Sequence, residues 1–366
     1  MHFPFCLSKC PYCDFASVVA KDAPQERYTK AILAELAARS AQLKGRELHS
    51  IYFGGGTPSL WAPRHVATVL RAVHETFAVA EGAEVTLEAN PGASDSERFS
   101  EYREAGVNRL SMGVQSLNPK TLAALGRAHS PEEALAAAKR ARAAGFDNLS
   151  FDFIYGVQGQ TVEEAQRDAE AAAQLDAEHL SAYALTLERE ALAEDVPLAK
   201  QLARGEVELP PDEEVVQMQR GYQAAFARAG LQRYEVSNYA RGGFHSRHNA
   251  LYWTGGEYLA LGVGATGTVG LQRYSNQRSW EKYLTEVEAG RAPSASVEAL
   301  DAGVLARERV AMGLRLSNGV DLAQFAASEP VVEQLVKHQL AVRDGWRLRL
   351  TEAGFDVHSA IAAKLI

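Results

Sequence analysis

A regular alternation of short apolar strands and alanine-rich helices runs from about residue 50 to residue 190 and restricts this chain to a few folds. The predicted strands, each ending in polar or glycine residues, are Ser50–Phe53, Val85–Glu88, Arg109–Gly113, Leu149–Ile154 and His179–Leu187. Linking helices of this length are typical of parallel βαβ units. With a short first strand at the start of the chain, the pattern predicts an α/β fold, an incomplete barrel with fewer units than the eight of a closed one.

Boundary signals support the helices of this alternation. Ser130 and Glu133 have the spacing of a capping box, and Gly145 ends the same helix. Thr161 and Glu164 repeat the capping box one unit later. The sequence therefore predicts complete strand–helix units up to about residue 188.

The alternation of strands and helices ends at about residue 188. A long helix is predicted from the Pro-Pro-Asp segment at 210–212 to about Ala229, followed by irregular strands and loops over 234–274. From Leu300 the chain is predicted to be mainly helical, with a small strand at Trp346–Leu350. We expect three domains: a partial barrel over 1–190, an extension over 191–295, and a helical domain over 296–366. The last is either winged-helix-like or a helical cap on the barrel.

Charge and hydropathy exclude several classes of function. The chain has 38 Lys and Arg and 46 Asp and Glu, a formal net charge of −8, so it has no overall attraction to nucleic acid or anionic lipid. It has no apolar run of the roughly 18 residues that a membrane span needs. The first residues, MHFPFCLSKC, lack the basic and apolar regions of a secretory signal. We therefore expect a cytoplasmic protein with no integral membrane span and no nucleic-acid partner.

The cysteines carry the strongest chemical signal. The chain has three, Cys6, Cys10 and Cys13, and an odd, crowded set of this kind is a poor disulfide framework. Three thiolates on one loop suit a 4Fe–4S cube whose fourth iron stays open to a small molecule. Two alternatives are a zinc site with His2 as a fourth ligand, and free cysteines in a core.

The CxxxCxxC spacing after a first strand and the Gly54–Pro58 turn (GGGTP) after the second together resemble the radical S-adenosylmethionine (SAM) superfamily. The segments FCLSKCPYCDF, GGGTPS, LEANPG, MGVQSL, LGRAHS, FDFIYG and RHNALYW resemble one group in it. That group contains oxygen-independent coproporphyrinogen III oxidases and HemW-type haem chaperones. The resemblance implies an incomplete (β/α)6 radical SAM barrel with a mainly helical C-terminal domain. The implied cofactors are a 4Fe–4S cluster on the three cysteines, SAM and haem.

The resemblance also implies the SAM contacts. They are Gly56 and Thr57 at the SAM amino group, with Glu88, Gln115, Arg127 and Asp152 lining the pocket. Several lie at the carboxyl ends of predicted strands, where barrel enzymes place their sites. Taken singly, each residue could instead be a polar strand end that caps the next helix. Tyr12, Phe15 and Tyr183 are expected either near the cofactors or in simple core packing.

Two departures favour the chaperone over the oxidase. The oxidases carry a fourth cysteine where this sequence has Phe15, and a longer segment ahead of the cluster. The His248-Asn249-x-x-Tyr252-Trp253 motif matches the chaperones, in which it is associated with haem, and an imidazole can bind haem iron. The alternative for this motif is a hydrogen-bonded turn on an apolar patch. The family also carries a Tyr two residues before the position of His2, so the true start is expected to lie earlier.

The resemblance implies a protein that binds haem and delivers it to haem-requiring apoproteins, with respiratory-chain proteins as acceptors and a homodimer possible. Three other functions stay open at this point. One is an oxygen-independent coproporphyrinogen III oxidase, which decarboxylates its porphyrin precursor with SAM. The second is an unrelated radical SAM enzyme, and the third is a zinc-bound scaffold.

Overall fold

The computed structural model describes residues 1–187, 196–323 and 329–365, except for the side chains of 93 and 94. In these ranges the strands are β1 (His2–Phe3), β2 (Phe5–Cys6), β3 (Val18–Val19), β4 (Glu47–Gly55), β5 (Ala78–Ala89), β6 (Arg109–Gln115), β7 (Leu149–Tyr155), β8 (His179–Ala184), β9 (Gln232–Arg233), β10 (Asn238–Ala240), β11 (Thr266–Val269), β12 (Gln272–Asn276), β13 (Ser294–Ala299), β14 (Val320–Asp321), β15 (Ala341–Asp344) and β16 (Arg347–Leu350).

The helices are α1 (Gln25–Arg39), α2 (Pro63–Thr76), α3 (Ala93–Ser96), α4 (Phe99–Glu104), α5 (Pro119–Ala124), α6 (Pro131–Ala143), α7 (Val162–Ala173), α8 (Pro197–Ala203), α9 (Asp212–Arg228), α10 (Arg247–Trp253), α11 (Trp280–Glu288), α12 (Ala302–Gly313), α13 (Glu329–Lys337), α14 (Glu352–Asp356) and α15 (His358–Leu365). Short 3₁₀ helices lie at Ser40–Leu43 and Pro58–Leu60. None of the described helices combines the length and apolar character needed to cross a bilayer.

The main sheet confirms the predicted partial barrel. Six strands pair in parallel in the order β1-β4-β5-β6-β7-β8, and each of the five strands predicted between residues 50 and 190 is present. The antiparallel strands β10 and β9 then extend the sheet beyond β8. Strand β10 lies in the segment predicted to hold irregular strands, whereas β9 and the pairing with β8 were not predicted. Parallel strands end at the same edge of the sheet, so their carboxyl-terminal residues are brought together there.

Alternation along the strands sorts the side chains onto two faces. On β6, Leu110, Met112 and Val114 belong to the main apolar core, whereas Arg109 and Ser111 line a cavity on the other face. The same alternation is present on β7 and β8. One face therefore packs against the helices, and the other is largely polar, unlike the apolar interior of a closed eight-stranded barrel.

Both predicted capping boxes are present at the helix starts. Ser130 accepts from the backbone N–H of Glu133, whose side chain accepts from the backbone N–H of Ser130. Thr161 and Glu164 make the same reciprocal pair at the start of α7. Each box satisfies two backbone donors that a helix start otherwise leaves free, which fixes where the helix begins.

The segment from 300 onward has its own small core. Helices α12, α13 and α15 enclose a three-stranded antiparallel sheet in the order β14-β16-β15, with Leu314, Leu348 and Phe355 buried between them. The strand predicted at Trp346–Leu350 is present as β16. The predicted boundary at residue 190 lies outside the described residues, so the division into three domains stays a prediction.

One expectation was wrong in the 234–274 segment. Residues predicted to form irregular strands and loops instead contain α10, which carries the HNxxYW motif. Ser246 caps this helix by accepting a hydrogen bond from the backbone N–H of Asn249. The carboxylate of Glu84 on β5 accepts from the backbone N–H groups of Arg247 and His248. A negative charge at a helix start is stabilising, and here it attaches α10 to the sheet.

Candidate functional site

A cavity of about 710 Å³ opens at the carboxyl ends of the parallel strands and extends into the barrel. The three cysteines line its mouth, and strand residues line its interior. Cysteines and strand ends belong to distant parts of the sequence, so the fold is what brings them together. This cavity is the candidate functional site.

The three cysteines are free thiols, with Cys6 buried and Cys10 and Cys13 half-buried. Thr57 Oγ1 donates to Cys6 Sγ at 3.4 Å, and Arg127 Nη1 donates to Cys10 Sγ at 3.3 Å. Burial raises the pKa of the Cys6 thiol, and the hydrogen bond from Thr57 opposes that rise. Donors aimed at sulfur favour thiolates, which are the form that binds metal.

The glycine turn approaches the cysteine loop so closely that a side chain would not fit. A Cβ on Gly56 would lie 2.9 Å from both Cys6 Sγ and the carbonyl oxygen of Phe5. Gly126 has φ +63°, and a Cβ there would lie 2.7 Å from a ring carbon of Pro11. These two glycines therefore allow the loop to pack onto the barrel mouth.

The thiols suit a cluster better than a single ion. Among the described residues, no three Cys, His, Asp or Glu side chains converge closely enough to hold one metal ion. In a 4Fe–4S cube each cysteine binds a different iron, so the sulfurs need not converge on one point. The donor set of three cysteines at a cavity mouth fits such a cluster.

All six residues that the sequence assigned to SAM line this cavity. They are Gly56, Thr57, Glu88, Gln115, Arg127 and Asp152. Glu88 accepts hydrogen bonds from Tyr52 Oη at 2.7 Å and from the backbone N–H of Gly55 at 3.0 Å. Burial raises the pKa of Glu88 to about 7, so this carboxyl group changes charge near neutral pH.

Asn90 joins the two thiols through a chain of hydrogen bonds. Arg127 Nη2 donates to Asn90 Oδ1 at 2.7 Å, and Asn90 Nδ2 donates to Thr57 Oγ1 at 3.2 Å. Since Arg127 contacts Cys10 and Thr57 contacts Cys6, one continuous network connects both sulfurs to the pocket. Sequence reasoning missed Asn90, although it stands in the LEANPG segment directly after the β5 strand.

Backbone strain marks one further position. Gln115, the last residue of β6, has φ +67°, which is uncommon for any residue other than glycine. A Cβ on the neighbouring Gly113 would lie 2.6 Å from Gln115 Nε2, so this glycine leaves room for the amide. Such strain is concentrated at functional sites.

Phe15 and Tyr183 line the cavity and are partly exposed, at 58% and 39%. Tyr12 also lines the cavity and packs against apolar residues at its edge. The sequence missed the polar residues deeper inside, which are Arg109, Ser111, Ser150, His179 and Ser181. The signal for them was present, because they alternate with apolar residues along predicted strands.

His248 does not line the cavity with the other predicted site residues. Its ring stacks on Tyr52 with the centroids 4.5 Å apart, and both of its nitrogens are engaged. Nδ1 lies 3.2 Å from Ser50 Oγ, and Nε2 lies 2.8 Å from Tyr252 Oη. Burial lowers the pKa of His248 to about 3, so the imidazole is neutral. Of the HNxxYW motif, Asn249 is the residue that reaches the cavity.

Comparison with known proteins gives the family. Residues 1–172 match the radical SAM superfamily, and residues 300–357 match the HemN C-terminal domain. The chain is 37% identical over 370 residues to heme chaperone HemW of Mycobacterium tuberculosis (strain CDC 1551 / Oshkosh), covering 100% of this chain and 94% of that protein. The chain belongs to the HemW family of radical SAM proteins.

Other relatives agree with this placement. The chain is 41% identical over 271 residues to heme chaperone HemW of Escherichia coli (strain K12), covering 74% of this chain and 69% of that protein. It is 32% identical to the mitochondrial radical S-adenosyl methionine domain-containing protein 1 of Bos taurus, covering 100% of this chain and 86% of that protein.

One solved structure shares the fold of this chain. Coproporphyrinogen III oxidase (HemN) from Escherichia coli aligns with a TM-score of 0.84 at 22% identity, covering 100% of this chain and 88% of that chain. The likeness therefore extends through the barrel and the segments that follow it. At this identity it is a statement about the fold alone.

Proposed function

We propose that this protein is a radical SAM 4Fe–4S protein that binds haem and delivers it to haem-requiring apoproteins. The observation that carries the proposal is the 37% identity to a heme chaperone HemW along the whole chain. The free thiols at the cavity mouth and the polar pocket beside them are consistent with it. The acceptors we propose are apoproteins of the respiratory chain, and a homodimer stays a prediction.

In this proposal Cys6, Cys10 and Cys13 hold the cluster. When bound, the cluster and SAM together supply one-electron reductive cleavage of SAM. Thr57 and Arg127 stabilise negative charge on two of the sulfurs, because their donors lie within hydrogen-bond distance of them. The fourth iron has no protein cysteine available, since the chain has only three.

The proposed SAM pocket uses the remaining strand-end groups. Arg127 is placed to contact the carboxylate of SAM, since a guanidinium pairs well with a carboxylate. Glu88, Gln115 and Asp152 supply acceptors and an amide on the neighbouring strands. Gly56 and Thr57 offer backbone and hydroxyl groups at the amino group of SAM.

The HNxxYW motif is the proposed haem-binding segment, and its histidine is already hydrogen-bonded. Both nitrogens of His248 already have partners, so the imidazole must give up Ser50 or Tyr252 before it can bind iron. The motif also supplies Trp253, whose buried Nε1 has no hydrogen-bond partner. Ligation of haem iron by His248 stays a prediction, and testing it requires the haem binding, SAM affinity and stability of a His248 variant to be measured together.

An oxygen-independent coproporphyrinogen III oxidase is the second candidate, and its observation is the shared fold with HemN. One anaerobic experiment separates the two. The protein is reconstituted with iron and sulfide, reduced, and given SAM with either haem or coproporphyrinogen III. We expect stable haem uptake and no protoporphyrinogen IX. Catalytic turnover of coproporphyrinogen III without haem uptake would overturn the chaperone proposal.

A further inference from the structure

Arg109, the first residue of β6, is a buried cation without a partner. Its side chain is 2% exposed and lines the interior of the cavity. Among the described residues, none makes a hydrogen bond or close ion pair with its guanidinium, and its Nε is buried and unpaired. Taking a charge out of water is costly unless it is paired, so a guanidinium left this way needs a ligand or water.

The acids that face the same interior are already engaged elsewhere. Glu84 accepts from the start of α10, and Glu88 accepts from Tyr52 and Gly55. Burial raises the pKa of Asp152 and the nearby charge of Arg109 opposes that rise, yet the carboxylate accepts a hydrogen bond from Ser111 Oγ at 3.4 Å. None of these three carboxylates therefore forms a hydrogen bond or an ion pair with Arg109.

A second buried polar group without a hydrogen-bond partner among the described residues lies beside Arg109. Thr86 is the cross-strand partner of Arg109 in the parallel register, and its buried Oγ1 also lacks a hydrogen-bond partner. Asn249, from α10, lines the same cavity and makes no side-chain hydrogen bond to a described residue. A guanidinium and an amide, both donors, thus face the interior near the amino-terminal ends of the strands.

Asp152, one of the proposed SAM contacts, borders this end of the cavity, whereas Arg127, the proposed partner of the SAM carboxylate, lies at the cysteine end. Arg127 contacts Cys10 Sγ and the carbonyl of Gly113 at the mouth. Arg109 lies four residues before Gly113 on β6, roughly 13 Å away along a parallel strand. A carboxylate held at the cysteine mouth is therefore out of reach of Arg109. The planar fork of arginine matches a carboxylate through two parallel hydrogen bonds.

We propose that Arg109, assisted by Asn249, anchors a carboxylate of a small molecule other than SAM in the interior of the barrel. The inference rests on the proposed function in one respect, because that function makes the carboxylate a propionate of haem. The cavity, at about 710 Å³, lies within the size range of small-molecule sites. The carboxylate of this ligand would supply the partner that the buried guanidinium of Arg109 lacks within the protein.

The test compares hemin with hemin dimethyl ester, in which both carboxylates are blocked. Each is titrated anaerobically into the reconstituted full chain with SAM present, as the wild type, Arg109→Met, Asn249→Ala and the control Arg71→Met. Arg71 is an exposed arginine on α2, outside the cavity. We expect hemin to bind the wild type and the control at least about tenfold more tightly than Arg109→Met, and Asn249→Ala to show a smaller loss.

The ester supplies the specific readout. In the wild type it should bind at least about tenfold more weakly than hemin, and in Arg109→Met the two should bind alike. A purely structural arginine would lower the binding of both ligands together. Arg109→Lys, which keeps the charge and loses the fork, replaces the Met variant if that variant does not fold.

The remaining outcomes separate the carboxylate site from the haem proposal. Equal binding of hemin and ester by the wild type, or an undiminished preference for hemin in Arg109→Met, overturns the carboxylate site and leaves the haem proposal standing. If the wild type binds no hemin but binds coproporphyrin III in an Arg109-dependent way, the site stands and the haem proposal falls. Binding of neither porphyrin overturns both.

Discussion

The imidazole of His248 stacks on the ring of Tyr52 at 4.5 Å, and the Tyr52 hydroxyl donates to Glu88 at 2.7 Å. The haem-associated motif and the proposed SAM pocket are thus joined by one intervening side chain. This contact makes His248 part of the support for Glu88, whatever further role the imidazole has. It also means that loss of haem in a His248 variant does not by itself identify an iron ligand.

His248→Ala should therefore weaken SAM binding several-fold and destabilise the fold by about 1–3 kcal/mol, because it removes a stacked ring and two hydrogen bonds. The measurements are SAM affinity by equilibrium dialysis and unfolding by denaturant. His338→Ala, at an exposed position, is the control. If His248→Ala loses haem while SAM affinity and stability stay at wild-type values, the imidazole acts as a ligand and not as a support.

SAM affinity should rise with pH through the pKa of Glu88. Burial raises that pKa to about 7, so the group is mostly protonated at pH 6 and mostly ionised at pH 8. If the ionised form accepts from the amino group of SAM, affinity should increase up to about tenfold between these values. Glu88→Gln should bind SAM weakly and lack this particular rise. An identical pH profile in the two proteins would contradict the assignment.

The same residue should make the ligand-free protein less stable as pH rises. The folded state holds the proton up to about pH 7, whereas the ordinary value of the group is 4.5. The contribution of Glu88 to stability therefore falls across this window, by at most about 3 kcal/mol. Glu88→Gln should remove that contribution. Urea unfolding of the cluster-free wild type and of Glu88→Gln at pH 5.5 and pH 8 measures it, and a stability difference between the two proteins that is the same at both pH values would contradict the expectation.

Much of this site could be predicted because each cue was local in sequence. The cysteine spacing, the glycine turn and the polar ends of five strands stand out in single segments, and the fold then places them around one cavity. The deeper polar residues were missed because a single Arg109 or His179 in a strand also fits a solvent-facing position. Only the closure of six strands turns that face inward.

The short helix α10 was missed for a different reason. Seven residues span two turns, too few to show a helical period among glycines and aromatics. Its start depends on Glu84, 163 residues before Arg247, whose carboxylate accepts from the first backbone donors. Such a long-range cap has no local signature, whereas the capping residue Ser246 does.

Replacing any one of Cys6, Cys10 and Cys13 by Ala should abolish the broad visible absorption of the reconstituted cluster. Each thiol binds a separate iron, and the chain has no spare cysteine to take its place. Iron and sulfide analysis of anaerobically purified protein provides an independent check. Stoichiometric zinc with no iron uptake in the wild type would contradict the cluster and restore the zinc alternative.

Gly56→Ala should reduce cluster content by at least about twofold. The added Cβ would lie 2.9 Å from Cys6 Sγ and from the backbone oxygen of Phe5, and neither atom belongs to the flexible end of a long side chain. Gly242→Ala is the matched control, because no atom lies within 4 Å of its added Cβ. Equal iron content in both variants would show that the loop tolerates displacement.

Asn90→Leu should impair the cluster and the SAM pocket together. Asn90 accepts from Arg127 and donates to Thr57, and these two residues contact Cys10 and Cys6. A leucine of similar size keeps the packing but leaves a buried guanidinium and hydroxyl without their partner, at a cost of about 1–3 kcal/mol. We expect SAM affinity to fall about tenfold and the cluster to be lost faster in air. Asn90→Asp keeps an acceptor for Arg127 and loses only the donor to Thr57, so it should retain more of both properties than the leucine variant. If both variants lose SAM affinity while cluster lifetime is unchanged, Asn90 serves the pocket alone and the two sulfurs do not depend on the connecting network.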